Sequence, residues 1–220
     1  MQLGRTEVSG DLKNVGQLTT INGVRKVTCN GHTIFIKEDG SVWSCGSNMR
    51  GQLGRVTAGI NGKTIEQITD LSNVVNASCG AGHTIFLKSD GTVFSCGFNE
   101  KGQLGRLVAT GSEQNVNLGQ IPNAFGVIDI ACGAETSCII KADGSIWNCG
   151  RADSISLGRN TVSGSPTYVN LGEMPNSFPA ATSFYQETAL LIAHGKTDLP
   201  AVPLYTSAER QVKAPVVSVH

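Results

Sequence analysis

The chain carries one pattern three times, and that recurrence limits what it can fold into more than any other feature. VTCNGHTIFIKEDGSVWSCGSNMRGQLGR runs from Val27 to Arg55, ASCGAGHTIFLKSDGTVFSCGFNEKGQLGR from Ala77 to Arg106, and IACGAETSCIIKADGSIWNCGRADSISLGR from Ile130 to Arg159. Equivalent cysteines fall fifty to fifty-three positions apart. A period of that length belongs to architectures in which one small unit stacks against copies of itself. Two fragments flank the three copies: MQLGR, Met1 to Arg5, matches the tail of a unit, and TSFYQETALLIAHG, Thr182 to Gly195, matches the head of a fourth.

Within each unit the residues favour antiparallel strands. HTIFIKEDGSVWSCG places two β-rich runs on either side of Asp39-Gly40, and the same arrangement recurs around Asp90-Gly91 and Asp143-Gly144. Asp-Gly between such runs is a strong hairpin signal, because glycine adopts positive φ without steric cost. Trp43 and Cys45 alternate with Val42 and Ser44, so both faces of the second strand carry groups that can be buried. A linking stretch such as Ile65 to Ala77 is expected to add a shorter strand before the next unit. Several strands per unit and no helical period make the chain all-β and point to propeller blades.

At this point the residues resemble a family. The pattern CG.GHT..L..DG.V..CG.N..GQLG is similar to the repeat of the regulator of chromosome condensation (RCC1) family, whose complete members form seven-bladed β-propellers. The resemblance implies an all-β chain of RCC1-like blades, about three complete and two partial, in a partial or small propeller. It spans residues 1–195 as a repeat domain, with units near 27–55, 77–106 and 130–159 and partial ones at 1–5 and 182–195. Residues 196–220, with no glycine and three prolines, read as an extended arm or a tail. The chain departs from the family where Cys45, Cys96 and Cys149 stand in place of the usual tryptophan, and where Thr136 replaces the histidine of the third unit. About four repeats cannot close a seven-bladed ring. The chain is therefore an arc completed by another polypeptide, a smaller ring closed through its split terminal repeat, or a capped open stack, because bare strand edges invite aggregation.

Charge and cysteine usage bound the function classes. Lysine plus arginine and aspartate plus glutamate both number 17, so no basic face for nucleic acid or anionic lipid is expected. No apolar run is long enough for a membrane helix, and the N-terminus lacks the apolar core of a signal peptide, so a cytoplasmic location with reduced thiols is expected, or assembly into a virion. Seven cysteines without a C-x-x-C pair favour small buried hydrophobes over a metal site or disulfides. His32 and His83 recur in "GHT", which favours a structural bond over catalysis, and Asp39, Asp90 and Asp143 are accounted for by turns. GINGKT, Gly59 to Thr64, lacks the first glycine of a phosphate loop, so Asn61-Gly62 reads as a second hairpin turn. No catalytic residue, cofactor or metal is expected.

The part of the repeat that changes is the better guide to a partner. Within the repeated frame, Asn48-Met49-Arg50 becomes Asn99-Glu100-Lys101 and then Ala152-Asp153-Ser154, so these positions change charge while the scaffold holds. Loops on rigid scaffolds are frequent binding sites. The main expectation is a non-enzymatic protein-binding or assembly module, as a subunit of a larger complex such as a phage virion or tail, whose partner is another protein or a neighbouring copy. The resemblance also implies a guanine nucleotide exchange factor-like regulator of a small GTPase. A third reading is an enzyme with a central propeller pocket, and a fourth is edge-to-edge pairing of chains into a ring or fibre.

Overall fold

A computed structural model of the chain describes residues 18, 20–107, 118–151, 157 and 171–174. The fragments at 1–5 and 182–195, the segment 196–220, Ala152 to Ser154 and the end of the third unit, save Leu157, lie outside these residues. The described residues form twelve strands: β1 (Val24–Cys29), β2 (His32–Lys37), β3 (Val42–Ser47), β4 (Asn61–Gln67), β5 (Val74–Cys79), β6 (His83–Lys88), β7 (Val93–Gly97), β8 (Gly119–Gln120), β9 (Val127–Cys132), β10 (Thr136–Lys141), β11 (Ile146–Gly150) and β12 (Gly172–Glu173). They make three four-stranded antiparallel sheets in the orders β1-β2-β3-β4, β5-β6-β7-β8 and β12-β11-β10-β9. Each sheet is one blade.

The hairpins form where Asp-Gly predicts them, with a three-residue loop. Lys37 N–H donates to the Ser41 carbonyl at 3.0 Å and Gly40 N–H to the Lys37 carbonyl at 3.0 Å, while Gly40 has φ +76°. The Asp39 carboxylate accepts from Ser41 N–H at 2.9 Å, and Asp90 and Asp143 do the same with Thr92 and Ser145. These bonds to side-chain and backbone donors hold all three carboxyls below the usual range.

Two expectations are corrected. Asn61 and Gly62 sit in β4, paired with Ser47 and Gly46, and make no turn. Gly62 is needed there because a Cβ would lie 2.6 Å from Leu53 Cδ1 and 2.9 Å from Arg55 Nη2. The stretch from Ile65 to Ala77 holds the end of one blade's outer strand and the start of the next blade's inner strand, so the boundary falls between Gln67 and Val74.

Period-2 alternation divides each middle strand between two neighbours. On β6, Phe86 packs with Ile34, Ile36, Ile68 and Leu71 of the first blade, whereas Ile85 and Leu87 pack with Ile121, Ile130 and Ile139 towards the third. Phe86 and Ile85 are fully buried. Both faces of a central blade are thus core, which is why HTIFLK carries no exposed apolar face.

Candidate protein-binding face

The histidines of the repeat join blade to blade. His32 Nδ1 donates to the Asn30 carbonyl at 3.0 Å, and its Nε2 lies 2.7 Å from Thr84 Oγ1 of the next blade. Thr84 Oγ1 in turn lies 2.7 Å from the Gln52 carbonyl, back in the first blade. The second interface repeats the set: Ser137 Oγ donates to the Gln103 carbonyl at 2.7 Å and accepts from His83 Nε2 at 3.0 Å. Burial pushes the pKa of both imidazoles down to about 4, so both are neutral near pH 7. The backbone bond expected of these histidines is present at His32, and each ring also meets a hydroxyl across the interface.

The cysteines of β7 and β11 face the same way. Cys96 Sγ lies 3.5 Å from the Gln52 carbonyl and 3.3 Å from where a Cβ on Gly54 would stand; for Cys149 the values are 3.6 Å to Gln103 and 3.0 Å at Gly105. A thiol therefore fills the space left by the preceding blade's glycine. None of the seven cysteines is in a disulfide. Cys45, Cys79, Cys96 and Cys149 are buried, and burial raises the Cys96 thiol to about 12, which makes it inert. Cys29 departs from the expectation: it is exposed, because β1 leaves much of its surface open, and Cys132 and Cys138 are half-buried.

The loop after β3 is held by its own residues. Asn48 Oδ1 accepts from Leu53 N–H at 3.0 Å, its Nδ2 donates to the Arg55 carbonyl at 3.1 Å, and Gln52 Oε1 accepts from Arg50 N–H at 2.9 Å. Asn99 and Gln103 make the same bonds to Leu104, Arg106 and Lys101 at 2.9, 3.2 and 2.9 Å. Gly51, Gly54, Gly102 and Gly105 all have positive φ. Arg55 anchors the loop to its own sheet, with Nε donating to Ser44 Oγ at 3.0 Å and Nη1 paired with Glu66 at 2.7 Å; Arg106 Nε binds Ser95 Oγ at 3.0 Å.

What projects from this frame is the set that varies. Met49 is 55% exposed and Glu100 is exposed, while Arg50 and Lys101 are half-buried. Arg50 leans onto the next blade, with its guanidinium 4.5 Å from the centroid of Phe98. The structure thereby joins the two loops through a residue that sequence reasoning missed. The signal was present, since Phe98 stands where the first copy has Ser47. In the third blade Arg151 takes that position and pairs with Glu135 at 2.7 Å. Both loops leave the same end of their sheets, where the β1–β2 and β5–β6 connections also lie. Among the described residues no group of three or more histidine, cysteine, aspartate or glutamate side chains is placed to hold a metal. A cavity of about 330 Å³ beside β4 is lined by Arg55, Thr57, Asn61, Lys63, Thr64 and Glu66, and Arg55 and Glu66 are paired within it. Gly62, Lys63 and Thr64 lie in strand β4 and so cannot form a phosphate loop.

Two family descriptions of the regulator of chromosome condensation (RCC1) repeat match the chain, one at residues 25–52 and 74–103 and the other at 39–87 and 90–140. Together they span residues 25–140, more than half of the sequence. The chain belongs to the RCC1 repeat family. It is 34% identical over 158 residues to protein RCC2 of Homo sapiens, an alignment that covers 69% of this chain and 28% of RCC2. The chain thus spans less than a third of the length of this relative. Among solved structures, human WBSCR16 superposes with a TM-score of 0.66 at 21% identity, covering 79% of this chain and 44% of that one. Prp20p of Saccharomyces cerevisiae, described with its binding to Gsp1p and histones, gives 0.59 at 22% identity over 74% of this chain and 41% of its own. At these identities the two structures establish the fold, and the three sheets of this RCC1 repeat chain are blades of that propeller.

Proposed function

We propose that this chain is the protein-docking part of an RCC1-type propeller with a regulator's role, acting as a guanine nucleotide exchange factor-like module on a small GTPase and not as an enzyme with a central pocket. The end of the blades that carries Met49, Arg50, Phe98, Glu100 and Lys101 receives the partner. The observation that carries this reading is the pair of loops with the same internal hydrogen bonds and different tips: the frame is satisfied without Met49, Arg50, Glu100 or Lys101 side chains, which leaves them available to a partner. The likeness to RCC2 favours the regulator reading. So does the binding of Gsp1p described for Prp20p. A virion or tail subunit has no support among the relatives named above and is set aside.

The test is a nucleotide-release assay on purified small GTPases loaded with fluorescent GDP, together with direct binding in the nucleotide-free state. Arg50→Glu combined with Lys101→Glu is expected to weaken binding by about tenfold or more, as loss of central charged or stacked anchors does. The melting temperature should stay within a few degrees of that of the parent chain. Binding and release that are unchanged by the double reversal would remove this face from the proposal.

A further inference from the structure

The second and third blades fill one pair of repeat positions in different ways. Gly82 and Phe98 of the second blade correspond to Glu135 and Arg151 of the third: Phe98 N–H donates to the Gly82 carbonyl at 2.8 Å, and Arg151 N–H donates to the Glu135 carbonyl at 3.0 Å. In the third blade the two side chains close on each other, with Arg151 Nη1 2.7 Å from Glu135 Oε2. In the second blade the guanidinium comes instead from the preceding loop. Arg50 reaches across to the Phe98 ring, and no carboxylate of the described residues pairs with it.

The Arg50 guanidinium is thus held in place but left without a polar partner. The Arg50 backbone N–H is bound by Gln52 Oε1, the side chain is half-buried, and the ring 4.5 Å away gives the planar group a face to rest on. Among the described residues nothing accepts from its side-chain N–H groups. Arg55 differs, because its donors are taken by Ser44, Thr64 and Glu66. A fork that is already stacked loses little side-chain freedom when a carboxylate docks on it through two parallel bonds.

Gly82 supplies the room. Its φ is not positive, so backbone conformation does not demand glycine there, unlike Gly31 at the same place in the first blade with φ +74°. Collision does not demand it either, because a Cβ would meet Phe98 Cβ at 3.4 Å and Arg50 Cγ at 3.5 Å, which is ordinary contact. Glycine leaves open, beside Arg50, the position from which the third blade sends out its own carboxylate.

We propose that Arg50, Phe98 and Gly82 form a receptor for a carboxylate, and that its ligand is an aspartate or glutamate side chain of an acidic partner segment, which passes over Gly82 and binds the Arg50 guanidinium as Glu135 binds Arg151. This rests on the reading of the loop end as the docking face, and it names the chemistry recognised there whatever the partner's own activity.

The probe is a capped tetraglutamate peptide, compared with its all-glutamine version and with inorganic phosphate. Each is titrated into the full chain while the Arg50 Nε–Hε resonance is followed by NMR, with Arg50→Lys to identify that signal. Tetraglutamate is expected to shift it to saturation, with a midpoint about tenfold or more below that of either comparison. Gly82→Glu installs the carboxylate within the chain, so its Arg50 signal should start near the saturated position and the peptide should bind about tenfold more weakly. Phe98→Leu removes the aromatic face without altering charge and should weaken the peptide by about threefold. Where Gly82→Glu fails to fold, the parent titration and Phe98→Leu decide alone. An Arg50 signal that does not move with tetraglutamate, or moves as readily with phosphate or the glutamine peptide, overturns the proposal, as does unchanged affinity in a folded Gly82→Glu or in Phe98→Leu. No GTPase enters this measurement. A chain that binds tetraglutamate but releases no nucleotide overturns the exchange-factor reading alone, and one that acts on a GTPase but ignores the peptide overturns the carboxylate receptor alone.

Discussion

His32 and His83 are kept neutral by burial, and that gives the fold a dependence on pH with a definite sign. Their folded pKa values near 4 lie below the unfolded value of 6.5, so the unfolded chain takes up protons first as the pH falls. The stabilisation is complete above pH 6.5 and is lost between pH 6.5 and 4, by an amount on the order of 3 kcal/mol per histidine. Urea midpoints measured across that window should fall steeply for the parent chain, and His32→Gln with His83→Gln should flatten the slope. The recurrence of "GHT" made the structural role of these residues legible. Their partners across the blade interface were not, because the hydroxyls of Thr84 and Ser137 lie 52 and 54 positions away, beyond the reach of local spacing.

Among the elements, the strand ends impose the tightest limits. Gly97 closes β7 with φ +104°, and a Cβ there would meet the Gly82 carbonyl at 2.5 Å and His83 Cα at 2.8 Å; Gly46 and Gly150 stand in the same place in their blades. Gly59, with φ +120°, has nothing within 4 Å. Gly97→Ala should therefore cost about 2–4 kcal/mol, from both strain and collision, while Gly59→Ala pays for strain alone at about 1–2 kcal/mol. Urea unfolding of the two variants would show the gap, and equal costs would mean that the close approach is not what selects glycine. The two hairpin strands of each blade were readable because they flank Asp-Gly turns with β-rich runs, and the inner strand was legible only as part of the linker before them. The fourth was not: β4, β8 and β12 come from the variable linkers, and β8 and β12 are two residues long. The repeated unit of sequence ends at the loop, one strand before the blade does.

For the molecule as a whole, stability is the sum of the blades and the interfaces between them. Thr84→Val removes the hydroxyl that bridges the first interface and leaves the Gln52 carbonyl and the His32 ring without that partner, which costs about 1–3 kcal/mol. Because the loss falls on one interface, hydrogen exchange should quicken in β2 and β6 while β10 is spared. Ser137→Ala should instead quicken β6 and β10. Uniform acceleration in both variants would show that the blades unfold as one unit. The propeller class was visible in the sequence from the repeat alone, whereas the face proposed to bind a partner was only half visible. Met49, Arg50, Glu100 and Lys101 announced themselves by changing, but the stacking of Arg50 on Phe98 joins residues from different blades and needed the fold to bring them together.

The Asn48 and Asn99 loops carry one further consequence. Because each asparagine fastens both ends of its own loop and the glutamine fastens the middle, the shape of the loop owes nothing to the side chains at its tip. Such a loop works as a socket with interchangeable inserts. The first two blades carry different side chains at the same place on the same frame, so mutation can rewrite the surface proposed to bind a partner, one blade at a time, without renegotiating the fold beneath it.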